Sequence, residues 1–199
     1  MKHVFSQLEK KRNTNTQSRE QFLLHVCCAP CSIAVIDELA TEYDLVVLFY
    51  NPNIHPEEEY LKRKREVVRV CEEWKVPMID HDYDIEKWEK DIRGLENEPE
   101  GGLRCVSCIS MRLLHTAEIA KEKNIELFGT TLTMGRNKRE IVITPLGKSA
   151  GEKYGREYYV EDWKKKGREI KARAMVKERD IYRQTYCGCK YSIRVQREE

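Results

Sequence analysis

Apolar residues along this 199-residue chain alternate between short unbroken runs and longer amphipathic stretches. Phe22-Leu23-Leu24-His25-Val26 and Leu45-Val46-Val47-Leu48-Phe49-Tyr50 have the length and content of buried strands. The first run ends in Cys27-Cys28-Ala29-Pro30-Cys31. Pro30 there suits the first turn of a helix, and Ile33, Ile36, Leu39 and Ala40 give that helix one apolar face. Asn51-Pro52-Asn53 stops the second run, and Pro56 opens a long helix. Glu57, Glu58 and Glu59 complement the dipole of this helix, while Tyr60, Val67, Cys71 and Trp74 form its inner stripe.

Val76-Pro77-Met78-Ile79 predicts a weaker third strand, Ile85 to Arg93 a helix, and Gly94 to Gly102 a loop. A helix over Cys108 to Lys123 turns Ile109, Leu113, Ala117 and Ala120 inward, and Ile125 to Gly129 predicts a fourth strand. From Thr130 to Asp162 the pattern fades to a short helix near Arg139 and a short strand near Tyr158. Arg168 to Tyr182 predicts the last helix. Strands alternating with helices imply an α/β doubly wound fold, a parallel sheet flanked by helices on both faces. Ligands of such folds bind at the carboxyl ends of the strands, near the topological switch point, which is where the first cysteine group falls. The expected organisation is a polar N-terminal extension over residues 1–20, mobile across Lys10–Ser18, and a single α/β catalytic domain over 21–199.

Charge changes this picture only locally. The net charge is +2, yet eight Lys/Arg stand against two Glu from Lys164 to Arg179. Six acids face three bases from Glu86 to Glu100. Such runs are ordinarily solvated helix faces, but a basic stretch just before a cysteine group would suit a phosphate-rich partner. Lys62-Arg63-Lys64-Arg65 and Arg136-Asn137-Lys138-Arg139 are further basic runs. No apolar run approaches the roughly 18 residues of a membrane span. The chain reads as cytoplasmic, where thiols stay reduced.

The eight cysteines carry the chemistry. Apart from Cys71, which falls on an apolar stripe and reads as core, they form three groups: Cys27-Cys28-Ala29-Pro30-Cys31, Cys105-Val106-Ser107-Cys108 and Cys187-Gly188-Cys189. Packing gives no reason to gather thiols so closely, whereas metal binding or disulfide chemistry does. Three groups exceed what one structural zinc uses, and they come from distant points of the chain. A metal cluster is the leading reading, ahead of structural zinc and a thioredoxin-like dithiol with Cys28 at a helix N-terminus.

The ordered set resembles the epoxyqueuosine reductase family of the QueH type. The resemblance rests on Leu24-His25-Val26-Cys27-Cys28-Ala29-Pro30-Cys31, on Tyr50-Asn51-Pro52-Asn53-Ile54-His55-Pro56 followed by Glu59-Tyr60 and Arg63, and on Tyr83-Asp84. Cys105-Val106-Ser107-Cys108 followed by Arg112-Leu113, then Tyr182-Arg183-Gln184 leading into Tyr186-Cys187-Gly188-Cys189, complete it. It implies reduction of epoxyqueuosine to queuosine at the wobble position of tRNA, fed by an external electron donor. It also implies a [4Fe–4S] cluster beside a second mononuclear metal ion, iron, in a Rossmann-like fold of the adenine nucleotide hydrolase (HUP-like) type. Cysteines stand where relatives of that fold carry a glycine-rich phosphate loop, so ATP use is expected to be lost.

Removing the epoxide oxygen as water takes two electrons and two protons, and a second metal with an open position would act on that oxygen as a Lewis acid. Within the resemblance, Cys28, Cys105, Cys108 and one of Cys187 and Cys189 are expected to hold the cluster, with Cys31 able to replace Cys28. Cys27 and the remaining cysteine of the last pair would bind the second metal, completed by Asp84 or Asp82. Asp84 has the alternative reading of a helix N-cap before Ile85. Tyr83, Tyr186 and His25 are candidate proton donors, with His25 more readily a hydrogen-bonded core residue. Asn51 and Asn53 are expected to shape a turn. Lys164, Lys165, Lys166, Arg168, Lys171 and Arg173 are the first choice for tRNA phosphates.

Overall fold

The computed structural model describes residues 19–81 and 83–193. The expected mobile stretch and Asp82 lie outside the described residues. The elements run β1 (Gln21–Val26), α1 (Ala29–Glu42), β2 (Asp44–Phe49), α2 (Glu57–Trp74), β3 (Met78–Asp80), α3 (Ile85–Asp91) and α4 (Leu103–Glu122). They continue with β4 (Leu127–Thr130), α5 (Glu140–Tyr154), β5 (Glu157–Tyr158) and α6 (Arg168–Glu178). All strand pairs are parallel, in the order β3-β2-β1-β4-β5. The chain winds outward from β1 to β3, then crosses back to β4, so the switch point lies between β1 and β4.

Strand periodicity divides the core into two layers. Phe22, Leu24 and Val26 face one side with Val47 and Phe49, and there they pack against Ile33 and Ile36 of α1, Tyr60 and Val67 of α2, and Ala172 and Met175 of α6. Leu23 and Leu48 face the other side, against Trp88 of α3, Leu113 and Ala117 of α4, and Ile143 and Ala150 of α5. Both faces of the central strands are covered, which explains their continuous hydrophobic runs. Cys71 is buried in the first layer, as its place on the helix stripe predicts.

Three boundaries differ from the sequence expectation. Helix α4 begins at Leu103 rather than Cys108, because Gly102 caps it and the Glu98 carboxylate accepts the Leu103 amide at 2.9 Å. Cys105 therefore lies in the first helical turn. Helix α5 runs through Pro145 for 15 residues. Its apolar pattern is broken by Gly147, where a Cβ would come within 2.4 Å of the Tyr158 ring. The last helix stops at Glu178, and Asp180 turns left-handed at φ 48° just beyond it. Residues 179–189 thus form an irregular arm of turns and bends instead of a final helical turn.

Candidate metal centre

The first two cysteine groups each sit on a helix N-terminus. Cys28 is the N-cap residue of α1 with extended backbone, Cys27 closes the loop from β1, and Cys31 lies in the first turn. Cys105 and Cys108 occupy the first two turns of α4, one above the other as i and i+3. The Gly101 amide donates to Cys105 Sγ at 3.2 Å. All eight cysteines are free.

The third group is brought in by a buried ion pair. Arg63 stands on the inner stripe of α2, and its Nε donates to Glu59 Oε1 at 2.7 Å. The two remaining guanidinium nitrogens donate to the Cys187 carbonyl at 2.9 Å and the Tyr186 carbonyl at 3.1 Å. Tyr182 Oη donates to Glu59 Oε2 at 2.7 Å, and the His55 amide to the Gly188 carbonyl at 2.7 Å. Gly188 has φ 113°, and a Cβ on it would lie 3.0 Å from both Arg63 and Ile54. No other residue fits between the two cysteines without displacing that fork. Glu59, expected to complement the helix dipole and part of the motif set, is the carboxylate that orients the fork.

Two cations lie among the converging thiols. Arg112, 2% exposed, donates to the Cys108 carbonyl at 3.1 Å. Burial opposes its charge, but Cys108, Cys27, Cys187 and Cys105 outweigh that cost. Lys138 Nζ reaches Cys187 Sγ at 3.4 Å. Burial again works against the ammonium, and Cys187, with Cys108 and Cys105 behind it, raises its pKa. In the first group the Cys27 and Cys28 sulfurs are 3.9 Å apart. Hydrogen bonds from the Cys28 and Cys31 thiols, aided by Arg112, hold Cys27 well below the ordinary thiol range. Gln184 of the arm donates to Cys28 Sγ at 2.8 Å, tying the third group to the first. Cys189 is buried, which raises its pKa, with Cys108 and Cys187 among its neighbours.

Among the described residues, no three Cys, His, Asp or Glu side chains already surround one point at ligand distance. The groups share cations and one hydrogen bond rather than a closed coordination sphere. The donor set nevertheless fits an anionic iron–sulfur cluster: soft thiols from three arms, two helix N-termini and two partly or wholly buried cations. Asn51 Oδ1 and Gln184 Oε1 are buried without a hydrogen-bond partner, an arrangement costly unless a bound group satisfies it.

The other expected site residues are distributed as follows. Asp84 is exposed and caps α3, its Oδ1 accepting the Lys87 amide at 3.0 Å, which is its alternative reading. Tyr83 and Tyr186 donate their hydroxyls to the carbonyls of Ile54 and His55. Both therefore brace the loop after β2 in place of presenting a free proton, and burial pushes Tyr83 up to about 12. His25 is fully buried between Thr130 Oγ1 at 2.9 Å and the Tyr50 carbonyl at 3.1 Å. A carbonyl only accepts, so Nε2 carries the hydrogen. Burial, then Arg112, lowers its pKa to about 4, and the ring stays neutral as a core histidine. Asn51 donates to the Val26 carbonyl at 2.8 Å, stitching the ends of β1 and β2.

The expected tRNA run divides. Arg168 is buried, forked onto Glu38 at 2.6 and 2.7 Å and paired with Glu161 at 3.2 Å. Lys171 reaches the buried Asp37 at 2.7 Å, and Arg173 pairs with Glu169 along the helix. These residues fasten or decorate α6. Lys164 instead donates to the Lys138 carbonyl at 2.8 Å, beside the thiols, with exposed Lys165 and Lys166 following it.

Arg63 and Lys138 stand out in sequence only as members of basic runs, and Arg63, Arg112 and Gln184 only as parts of the motif set, with no contact to the cysteines expected of any of them. Arg63 and Arg112 carried a signal, since each is a charge on a helix face otherwise turned inward. A groove of about 670 Å³ on the outer face of α4, lined by Met111, His115 and Tyr154 among others, contains none of the cysteines.

The family model described as epoxyqueuosine reductase QueH matches residues 22–195. The QueH of Histophilus somni is 42% identical over 176 residues, covering 87% of this chain and 72% of that protein. That of Acinetobacter baylyi is 41% identical, covering 88% and 81%, and that of Thermotoga maritima 36% identical, covering 89% and 92%. Among solved structures, the U34-tRNA thiolase NcsA from Methanococcus maripaludis, with its [4Fe-4S] cluster, aligns at TM-score 0.55 and 12% identity. The alignment covers 94% of this chain and 66% of the thiolase, a likeness of fold. Matched by the family model over residues 22–195 and by these relatives at 36–42% identity over 72–92% of their length, the chain belongs to the epoxyqueuosine reductase QueH family.

Proposed function

We propose that the chain reduces epoxyqueuosine to queuosine in tRNA at a thiol-bound iron–sulfur centre. The observation that carries this reading is the convergence of three cysteine arms on Arg112 and Lys138 at the carboxyl edge of the sheet. Cys105 and Cys108, Cys28 or Cys31, and one of Cys187 and Cys189 would hold a [4Fe–4S] cluster. Cys27 and the other arm cysteine would hold a second metal ion, iron, with Asp84. The Oδ2 of Asp84 has no hydrogen-bond partner among the described residues.

When bound, these groups supply electrons singly and Lewis acidity for cleaving the epoxide C–O bonds. The chain's own residues do the rest. Arg112 and Lys138 offset the negative charge of the thiolates. Arg63 and Gln184 fix the third arm, and His25, kept neutral, joins β4 to the end of β2 beneath the first group. The epoxide of the substrate takes up two electrons and two protons and releases its oxygen as water, leaving the carbon–carbon double bond of queuosine, so an external donor is required.

The test is anaerobic purification with iron and sulfide analysis, then turnover of epoxyqueuosine-containing tRNA under a chemical reductant. Brown protein with at least four iron and four sulfide per chain and reductant-dependent queuosine formation is expected, by cluster stoichiometry. A colourless protein holding stoichiometric zinc, inactive on that tRNA, overturns the reading.

A further inference from the structure

Two loops leave the carboxyl ends of β4 and β5 and meet beside the cysteines. Four hydrogen bonds join them: Thr133 Oγ1 to the Glu161 carbonyl, the Trp163 amide to Thr133 Oγ1, the Trp163 indole to the Thr130 carbonyl, and Lys164 Nζ to the Lys138 carbonyl. Trp163 is 2% exposed, so the joint is anchored in the core. The paired loops present cations to solvent on one rim. Arg136 and Arg139 are exposed and have no acidic partner among the described residues. Lys165 and Lys166 are 70% and 67% exposed and pair with Asp162 at 3.5 Å and Glu161 at 3.1 Å. Exposed pairs of that kind hold a side chain weakly and yield to a stronger anion. Lys138, between Arg136 and Arg139, is the residue whose ammonium touches Cys187.

We propose that this two-loop rim is the phosphate-docking surface for the tRNA strand flanking the modified base. The inference rests on the tRNA reading above and deepens it. A base delivered to the thiols passes the rim, and its neighbouring phosphates then fall within reach of the unpaired Arg136 and Arg139 and the weakly paired Lys165 and Lys166. The rim replaces the α6 residues as the electrostatic footprint, because Arg168 and Lys171 are consumed by Glu38, Glu161 and Asp37.

The experiment compares two charge reversals of equal size in the anaerobically purified holoprotein. One is Arg136→Glu with Arg139→Glu on the rim. The other is Arg173→Glu with Lys177→Glu on α6. Binding of an unmodified transcript of a queuosine-receiving tRNA is titrated over a salt series. The rim pair is expected to weaken binding at least ~10-fold and to lower the slope of log K against log salt by about two. The α6 pair is expected to stay within ~2-fold of the parent, since it contacts no phosphate. The neutral pair Arg136→Gln with Arg139→Gln should lose the same slope, and iron, sulfide and melting temperature should not change in any variant. Parent-like binding by the rim pair, or equal losses from both pairs, overturns the rim while leaving the tRNA substrate intact. Failure of the parent itself to bind at low salt overturns the tRNA reading with it.

Discussion

Two adjacent basic segments, equally cationic in sequence, have opposite fates in the fold. The rim segment, with Lys164, Lys165 and Lys166, keeps its charge at the surface beside the thiols. The α6 segment, with Arg168 and Lys171, buries or pairs its charge against acids of α1. The dividing residue is Gly167, whose left-handed φ of 76° turns the chain from rim into helix. Charge density therefore says little about use. What decides is whether a carboxylate waits within the fold, because a cation forked onto a shielded acid has no capacity left for a phosphate. Buried arginines here hold the structure, and exposure beside the thiols, not exposure alone, marks the cations proposed for a ligand.

The contrast extends first to Arg63, the most shielded of these arginines after Arg112. It is 2% exposed and its partner Glu59 8%. Arg63→Met should cost about 3–5 kcal/mol in urea unfolding, because the shielded Glu59 charge is left with the Tyr182 hydroxyl but no cation. It should also release the third arm. In metal-free protein, Cys187 is expected to alkylate at least ~10-fold faster, read by mass spectrometry, as its fraction of time unprotected rises. Arg63→Lys should recover part of the stability but not the protection, since an ammonium cannot span Glu59 and two carbonyls at once. Unchanged Cys187 reactivity in the methionine variant would remove the positioning role.

Arg168→Met tests the fold-holding half of the comparison directly. Its partner Glu38 is 29% exposed, so the penalty should be smaller, about 2–3 kcal/mol. Loss of the contact over the Trp163 ring, 4.7 Å from the guanidinium, adds to it. For a chain of this size that is a fall of roughly 4–12 °C in melting temperature. A loss below about 0.5 kcal/mol would place Arg168 with ordinary surface residues.

Much of this contrast was hidden in the sequence for a physical reason. Local signals were legible: strands as apolar runs, helix α1 from Pro30, the cysteine groups at strand and helix ends, Asp84 as a cap. Glu38 lies 130 residues before Arg168, so nothing near the basic run announced its partner. Helix α5 was obscured because Gly147 serves a tertiary contact with Tyr158 at the expense of helical pattern. Lys138 looked like one of several surface cations, and only the arrival of Cys187 from 49 residues away gives it a thiol neighbour. Long-range electrostatics belong to topology, which composition does not encode.

Acid should expose the same division. Arg168, chiefly through its hydrogen bonds, holds Glu38 below the ordinary carboxylate range. A carboxyl lowered in the folded state stabilises fully above its unfolded pKa, about 4.3, and loses that contribution as pH falls through the lowered value. The stability gap between parent and Arg168→Met should therefore be constant near neutrality and shrink below about pH 4. A gap that persists to pH 2 would mean the contact is packing, not charge. The rim variants, lacking a shielded carboxylate, should show no such pH dependence in their stability difference.

The smallest expected effect separates the two segments most cleanly. Lys165 and Arg173 are both well exposed, 70% and 65%, and both pair with a nearby acid, so neither contributes more than ~0.5 kcal/mol to stability. Their alanine variants should melt together with the parent. They differ only in position. Lys165 lies on the rim, one residue from the hydrogen bond to Lys138, whereas Arg173 points away along α6 against Glu169. Lys165→Ala should weaken tRNA binding ~2–5-fold and reduce the salt slope by about one, and Arg173→Ala should do neither. Because fold, charge count and exposure are matched, a difference in slope between the two can come only from where the phosphates lie.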